Sequence, residues 1–313
     1  MESVMKDDCV ITVNVGATWT IIALVGRDGK IHCYWKVATP QLGFLPLIDK
    51  ALDVVKNTDC CIHAVILGVP GPVDYARNNV VKLPNLLHWN IKELSETVRE
   101  LSEPLWLIAN DTDIAVLGEY QFGAGRNVEN LVFASCGSGV GAGVILGGQL
   151  IVGQYSLGEV GHTIIDLGSR QTVEQLGSGI ALERSIGKAV TATTDSDVVG
   201  PTDCESDPIV RVSAAFALCV RSLALCFMPD RIIVGGGCAH AHPEVLAAAR
   251  DEIGRIGDIQ PLKPEDVIES ELGDNAGIIG GYPYWLQTIS KDISTSTATE
   301  TESQPYRNPG EAP

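Results

Sequence analysis

The residues best placed to do chemistry begin with Asn110-Asp111-Thr112-Asp113, which follows the apolar run from Leu105 to Ala109. A carboxylate at such a junction can accept the proton of an attacking hydroxyl. Read on its own it more often caps the short helix that follows, because Asp is a favoured N-cap. The other chemistry-bearing features are three glycine turns: Gly16-Ala17-Thr18, Gly137-Ser138-Gly139-Val140-Gly141 and Gly235-Gly236-Gly237. Each ends a β-rich run. Without a Cβ, backbone N–H groups can approach phosphate oxygens closely, although any one of these turns alone is more often a plain tight turn. Taken together, turns carrying Thr18 and Ser138 could hold the phosphates of a nucleotide between two halves of the molecule. Gly137, Gly139 and Ala142 also satisfy the G-x-G-x-x-A pattern of dinucleotide sites, with Glu159 near the spacing of a ribose-binding acid. That pattern must open a helix, and VILGGQLIVG, with its β-branched residues and Gly147-Gly148 turn, favours a hairpin instead. There is no P-loop sequence.

The elements that must position these residues follow an α/β order. VITVNVG, TWTIIALVG and KIHCYWKV read as a β-meander with Asp28-Gly29 as a hairpin turn. A helix over Leu45–Val55, a strand over Ala64–Val69 ending at Pro70-Gly71-Pro72, a helix over Lys92–Leu101, a strand over Leu105–Ala109 and a short helix over Ile114–Tyr120 follow. LVFASC then enters the second glycine turn and leaves as VILGG, an echo of the strand, turn and strand around residue 16. The echo suggests two related halves across a cleft. Further helices are expected at Val173–Ile186, Ile209–Cys226 and Ala276–Ile289, with RIIVGGG as a strand between the last two. The expected division is an N-terminal α/β domain over 1–112, completed by the helix at 275–290, a C-terminal α/β domain over 113–274, and a polar, disordered tail over 291–313.

Composition narrows the function classes. The 313 residues are 45% hydrophobic and carry a formal charge of -17. Such a chain buries a full core, and its acidity argues against binding nucleic acid or anionic membranes. The nine cysteines are scattered, with no CxxC pair, and several lie in apolar runs. The start MESVMKDDCV lacks a signal-peptide core, and no uninterrupted apolar stretch reaches membrane-span length. A cytoplasmic location is expected.

From Val10 to Gly281 the chain resembles the ROK family of sugar kinases, within the actin-like ATPase (ribonuclease H-like) fold. The resemblance lies in Asn14-Val15-Gly16-Ala17-Thr18, in Gly68-Val69-Pro70-Gly71-Pro72-Val73, in Pro84-Asn85-Leu86 with Trp89, and in Asn110-Asp111. It continues through Gly137 to Gly141, Gly158-Glu159-Val160-Gly161-His162, Glu174 with Ser178-Gly179, and Gly235-Gly236-Gly237. The resemblance implies a two-domain fold with a hexose in the cleft, held by Gly71, Asn110, Asp111, Glu159, His162 and Glu174. It implies ATP at the three glycine turns, Mg2+, Asp111 as the base, and a homodimer.

Two positions depart from the family pattern. Asn14 stands where the family usually has an aspartate that helps hold Mg2+ through its water shell; it supplies an oxygen but no charge. The segment Ile165–Thr172 has no cysteine where the family commonly has a CxCGxxGC zinc loop, so no zinc is expected and His162 is left as a sugar contact or structural residue. The implied activity is ATP-dependent phosphorylation of a glucose-like hexose at its 6-hydroxyl. The alternatives are an N-acetylhexosamine kinase and, because of Asn14, a non-catalytic sugar or nucleotide binder. Family repressors carry an extra N-terminal DNA-binding segment, and the first strand here is expected by about residue 9, leaving no room for one.

Overall fold

The β-branched runs at the N-terminus pair as an antiparallel meander of β1 (Asp8–Val15), β2 (Trp19–Gly26) and β3 (Ile31–Ala38). The computed structural model describes residues 7–192 and 207–290; the tail expected over 291–313 lies outside them. After α1 (Leu45–Lys56), strand β4 (Cys61–Val69) adds in parallel to β1. The short strands β5 (Val73–Asp74) and β6 (Asn79–Val80) pair beside it. Helix α2 (Ile91–Glu100) leads to β7 (Leu105–Asn110), parallel to β4, and α3 (Asp111–Phe122) follows with no loop.

A second meander then begins with β8 (Leu131–Cys136), β9 (Val140–Leu146) and β10 (Gln149–Leu150). Helices α4 (Val173–Gly177), α5 (Gly179–Ala192) and α6 (Pro208–Phe227) precede β11 (Arg231–Gly235), which lies parallel to β8. Helices α7 (Gly237–Ala241) and α8 (Pro243–Ile256) come before the edge strand β12 (Val267–Glu269). Helices α9 (Ala276–Ile279) and α10 (281–290) close the described chain. The sheet orders are β3-β2-β1-β4-β7 and β10-β9-β8-β11-β12. Each is an antiparallel meander extended by two parallel strands, so the echo between residues 16 and 139 is a repeat of topology.

Helix α3 sits between the sheets, with Thr112 through Glu119 all buried. Its apolar side chains share a cluster with Val10, Ala64 and Ile66 of the first sheet and with Phe133, Ile145 and Ile233 of the second. Two glycines let α3 approach α9 closely. A Cβ at Gly118 would lie 2.6 Å from Ala276 O, and one at Gly280 would collide with Ile114 O. The helix expected over Ala276–Ile289 accordingly breaks at Gly280. Glu119 holds the other end, accepting hydrogen bonds from Ala124 N, Ser270 Oγ and Leu272 N. The long apolar helix α6 has a span's length and composition, with Phe216, Val220 and Leu223 packed into the core of the second sheet.

Asp113 is fully buried behind the first turn of α3. The Tyr75 hydroxyl donates to its Oδ2 at 2.5 Å and accepts from Asn110 N at 3.2 Å, while Asp113 Oδ1 has no partner among the described residues. Burial lifts this carboxyl to about 8; the Tyr75 bond opposes the rise, and Asp111 and Glu159 add to it. The folded protein therefore holds a proton here that the unfolded chain releases near 3.8. The associated stability is fully present below about pH 4 and is lost as pH rises through about 8. Asp113→Asn is expected to remove that pH dependence. Urea unfolding at about pH 5 and about pH 8.5 should show the parent losing on the order of 1 kcal/mol or more relative to the variant.

Candidate active site

The turns that leave β1, β4 and β8, together with the junction of β7 and α3, open into one cavity of about 180 Å³. All lie at the carboxyl ends of parallel strands, where α/β sheets place their ligands. Among the residues singled out by sequence, the cavity is lined by Gly16, Ala17, Gly71, Asn110, Asp111, Gly137, Ser138, Gly139, Glu159, His162 and Glu174. Residues more than 150 positions apart in the chain thus meet in one place.

Asn110 organises the centre of this cavity. It is the N-cap of α3: its Oδ1 accepts from Thr112 N at 2.9 Å and Asp113 N at 3.2 Å. Its Nδ2 donates to Gly71 O at 3.0 Å, tying the α3 start to the turn after β4. One N–H of its amide is left for a ligand. Thr112 Oγ1 lies 2.5 Å from Asn110 Oδ1 and 2.9 Å from Ala142 O, so its single proton has an acceptor in either half. Because Asn110 does the capping, Asp111 is the first residue of the helix rather than its cap. One Asp111 oxygen accepts from Thr112 N at 2.9 Å. Burial pushes the carboxyl up to about 7, the Thr112 bond pulls against that rise, and the neighbouring Glu159 adds to it. A carboxylate held near neutrality and facing a cavity has the character of a general base.

The other carboxylates enter from the second half. Glu174, in the first turn of α4, accepts from Val140 N at 3.0 Å. A Cβ at Gly139 would collide with its Oε2, so a larger residue there would displace this carboxylate. Glu159 follows Gly158 into a single 3-10 turn that ends at His162; its carboxyl is raised by burial and by Glu174, while His162, 3.8 Å away, opposes the rise.

The helix expected over Val173–Ile186 is two helices. Ser178 is extended (φ -107°, ψ 166°), its Oγ accepts from Ala181 N, and Gly179 N donates to Gly137 O at 2.8 Å. The break spends helical geometry on fixing the second glycine turn.

Some expected residues stand outside the cavity wall. Thr18 is exposed in the first turn. Gly235, Gly236 and Gly237 lie beyond the second turn, with Gly236 against the Cys136 backbone. The Asn14 amide lies between Gly68 and Gly277, so close to the latter that a Cβ there would be 2.6 Å from its Nδ2. Segment 165–172 closes on itself: Asp166 accepts from Gly168 N, Ser169 N and Ser169 Oγ, and those bonds hold its carboxyl below the ordinary range. Thr112, Ser135, Val140 and the Pro84-Asn85 pair also line the cavity. Nothing in the local spacing of Pro84-Asn85, about 25 residues from Asn110, points into a cleft.

The ROK family model matches residues 10–288. The chain is 29% identical to a glucokinase of Streptomyces coelicolor over 305 residues, covering 86% of this chain and 95% of that one. It is 25% identical to an N-acetylmannosamine kinase of Yersinia pestis over 292 residues, covering 89% and 98%. Its fold matches a ROK glucokinase of Streptomyces griseus, solved with glucose and AMPPNP, at a TM-score of 0.70 and 27% identity, over 88% of this chain and 98% of that one. With a family model spanning both sheets and a solved relative of the same architecture, the chain has the actin-like ATPase fold and belongs to the ROK family.

Proposed function

We propose that the cleft transfers the γ-phosphoryl group of ATP to the 6-hydroxyl of a glucose-like hexose, with Asp111 as general base. The coarser activity, an ATP-dependent sugar kinase, follows from family membership together with glucokinase relatives that match nearly the whole chain. The observation that carries the finer reading is Asp111: a carboxylate lifted to about 7, lining the same cavity as two glycine turns.

In this reading the hexose lies against Gly71, Asn110, Glu159, His162 and Glu174. Its hydroxyls meet the remaining Asn110 N–H and the free carboxylate oxygens, and a wrong epimer would strand one of those groups. Asp111 aligns the acceptor hydroxyl and takes its proton as the new O–P bond forms and the bond to ADP breaks. The N–H groups of Ala17, Ser138 and Gly139 have no partner among the described residues and face the phosphates. Gly236, packed against the Cys136 backbone at the start of the second turn, and its neighbours Gly235 and Gly237 border the nucleotide's far side in this reading. Mg2+ arrives with the ATP as part of the substrate, carried by phosphates and water with one or two carboxylates at most. The donor set fits that mode: the acids lining the cavity are Asp111, Glu159 and Glu174, and Asn14 brings no charge. The N-acetylmannosamine kinase relative favours a second reading, with an N-acetylhexosamine as acceptor.

ADP release measured over glucose, mannose, N-acetylglucosamine and N-acetylmannosamine, with ATP and Mg2+, tests the reading. Turnover is expected with at least one unsubstituted hexose. Sugar binding without any turnover would leave a non-catalytic binder. Asp111→Asn should lower kcat by about 100- to 10,000-fold while the sugar Kd, read by calorimetry, stays near the parent value. For the parent, kcat/KM should rise with pH through an apparent value near 7, because the base works only when deprotonated. Asn14→Asp should lower the Mg2+ concentration at half-maximal turnover several-fold, read from Mg2+ titrations at saturating ATP.

A further inference from the structure

We propose that Asp8, Cys61 and His63 form a binding site for a zinc-class divalent cation at the end of the first sheet away from the cleft. Their ligand atoms, a carboxylate oxygen, a thiol sulfur and an imidazole nitrogen, all lie within 4.8 Å of one another. The site is built by strand pairing. Asp8 of β1 is the register partner of Cys61 of β4. One residue further along, the pairing slips: Cys9 faces Ile62 and Val10 faces Ala64, which leaves His63 as the extra residue of a bulge. Bulges re-aim a side chain, and here His63 Nε2 comes within 2.9 Å of Asp8 Oδ1. The imidazole is held in plane by Trp285 of α10, stacked on it at 4.5 Å between ring centroids and 12° between planes.

The donor set selects the metal. Thiolate, imidazole and one carboxylate suit zinc, whereas Mg2+ and Ca2+ take oxygen shells. Three protein ligands leave a fourth tetrahedral position for water. In the metal-free protein the His63–Asp8 hydrogen bond holds two of the ligands together; a cation replaces that bond and draws in Cys61. Asp8 begins β1 and the cleft opens after Val15, so the site lies about 20 Å from the phosphoryl-transfer chemistry. Its effect is to tie β1 to β4 and, through the Trp285 stack, to α10. Segment 165–172, whose lack of cysteine underlies the expectation of no zinc, plays no part here. Asp8 and Cys61 are too far apart in the chain for spacing to have paired them.

The test uses metal-free, full-length protein and Co2+ as a spectroscopic stand-in. One equivalent should give a thiolate-to-cobalt charge-transfer band and tetrahedral visible absorption, both displaced by Zn2+. Cys61→Ser should abolish the charge-transfer band, and His63→Ala or Asp8→Asn should weaken binding, His63→Ala by more than about 100-fold. Cys33→Ser, at an exposed cysteine of β3, should change neither signal. Sugar-kinase turnover should be unaltered in Cys61→Ser. Thermal unfolding of the metal-free variants checks that each is folded, and Zn2+ should raise the midpoint of the parent but not of Cys61→Ser. A band that survives Cys61→Ser, or Co2+ and Zn2+ affinities equal in the parent and in folded His63→Ala, would overturn the proposal.

Discussion

The side chain of Asn110 accepts from the first N–H groups of α3 and donates to Gly71 O, and the cleft is organised around those bonds. A helix start needs a cap for its unpaired N–H groups, and Asn is among the best. When Asn110 supplies it, the next residue begins the helix with its carboxylate free to face the cavity. The same amide locks the turn after β4 to the end of β7. Thr112 extends the arrangement to Ala142 in the second sheet. Cavity-lining groups drawn from both sheets therefore share one fixed point.

That fixed point is set inside a helix enclosed by two sheets, and enclosure has an electrostatic consequence. Asp111 and Asp113 are two residues apart on a helix packed between two sheets, and burial raises both. Positive charge is not what offsets the cost, since no Lys or Arg among the described residues lines the cavity. Hydrogen bonds from Thr112 N and the Tyr75 hydroxyl do so in part. The two carboxyls are thereby set apart: Asp113, raised to about 8, sits behind the first turn of α3, and Asp111, raised to about 7, lines the cavity. An acidic cleft also suits a ligand that is neutral at one end and brings its own cation at the other.

Much of this was legible in the sequence. The β-rich runs, the Asp28-Gly29 turn and the glycine turns gave the strands and their ends, because strand pattern and turn chemistry are local. The identity of the α3 cap was not legible. Asn110 and Asp111 are both good caps, and only the Gly71 contact, made across the sheet, decides between them. The break at Ser178 was hidden for a similar reason: its stretch has helical periodicity, and the competing bond to Gly137 is 42 residues away. Asn14 could be read as a turn residue or a metal neighbour, and its packing against Gly277 depends on a helix near the other end of the chain. Long-range close approaches leave little trace in local pattern.

The central claim is that enclosure makes Asp111 a base poised near neutrality. Carbon-13 NMR of protein labelled at aspartate carboxyls, titrated beside Asp111→Asn to assign the signal, reads this directly. The account predicts that the Asp111 resonance titrates near 7. A midpoint at the ordinary aspartate value of about 4 would contradict it.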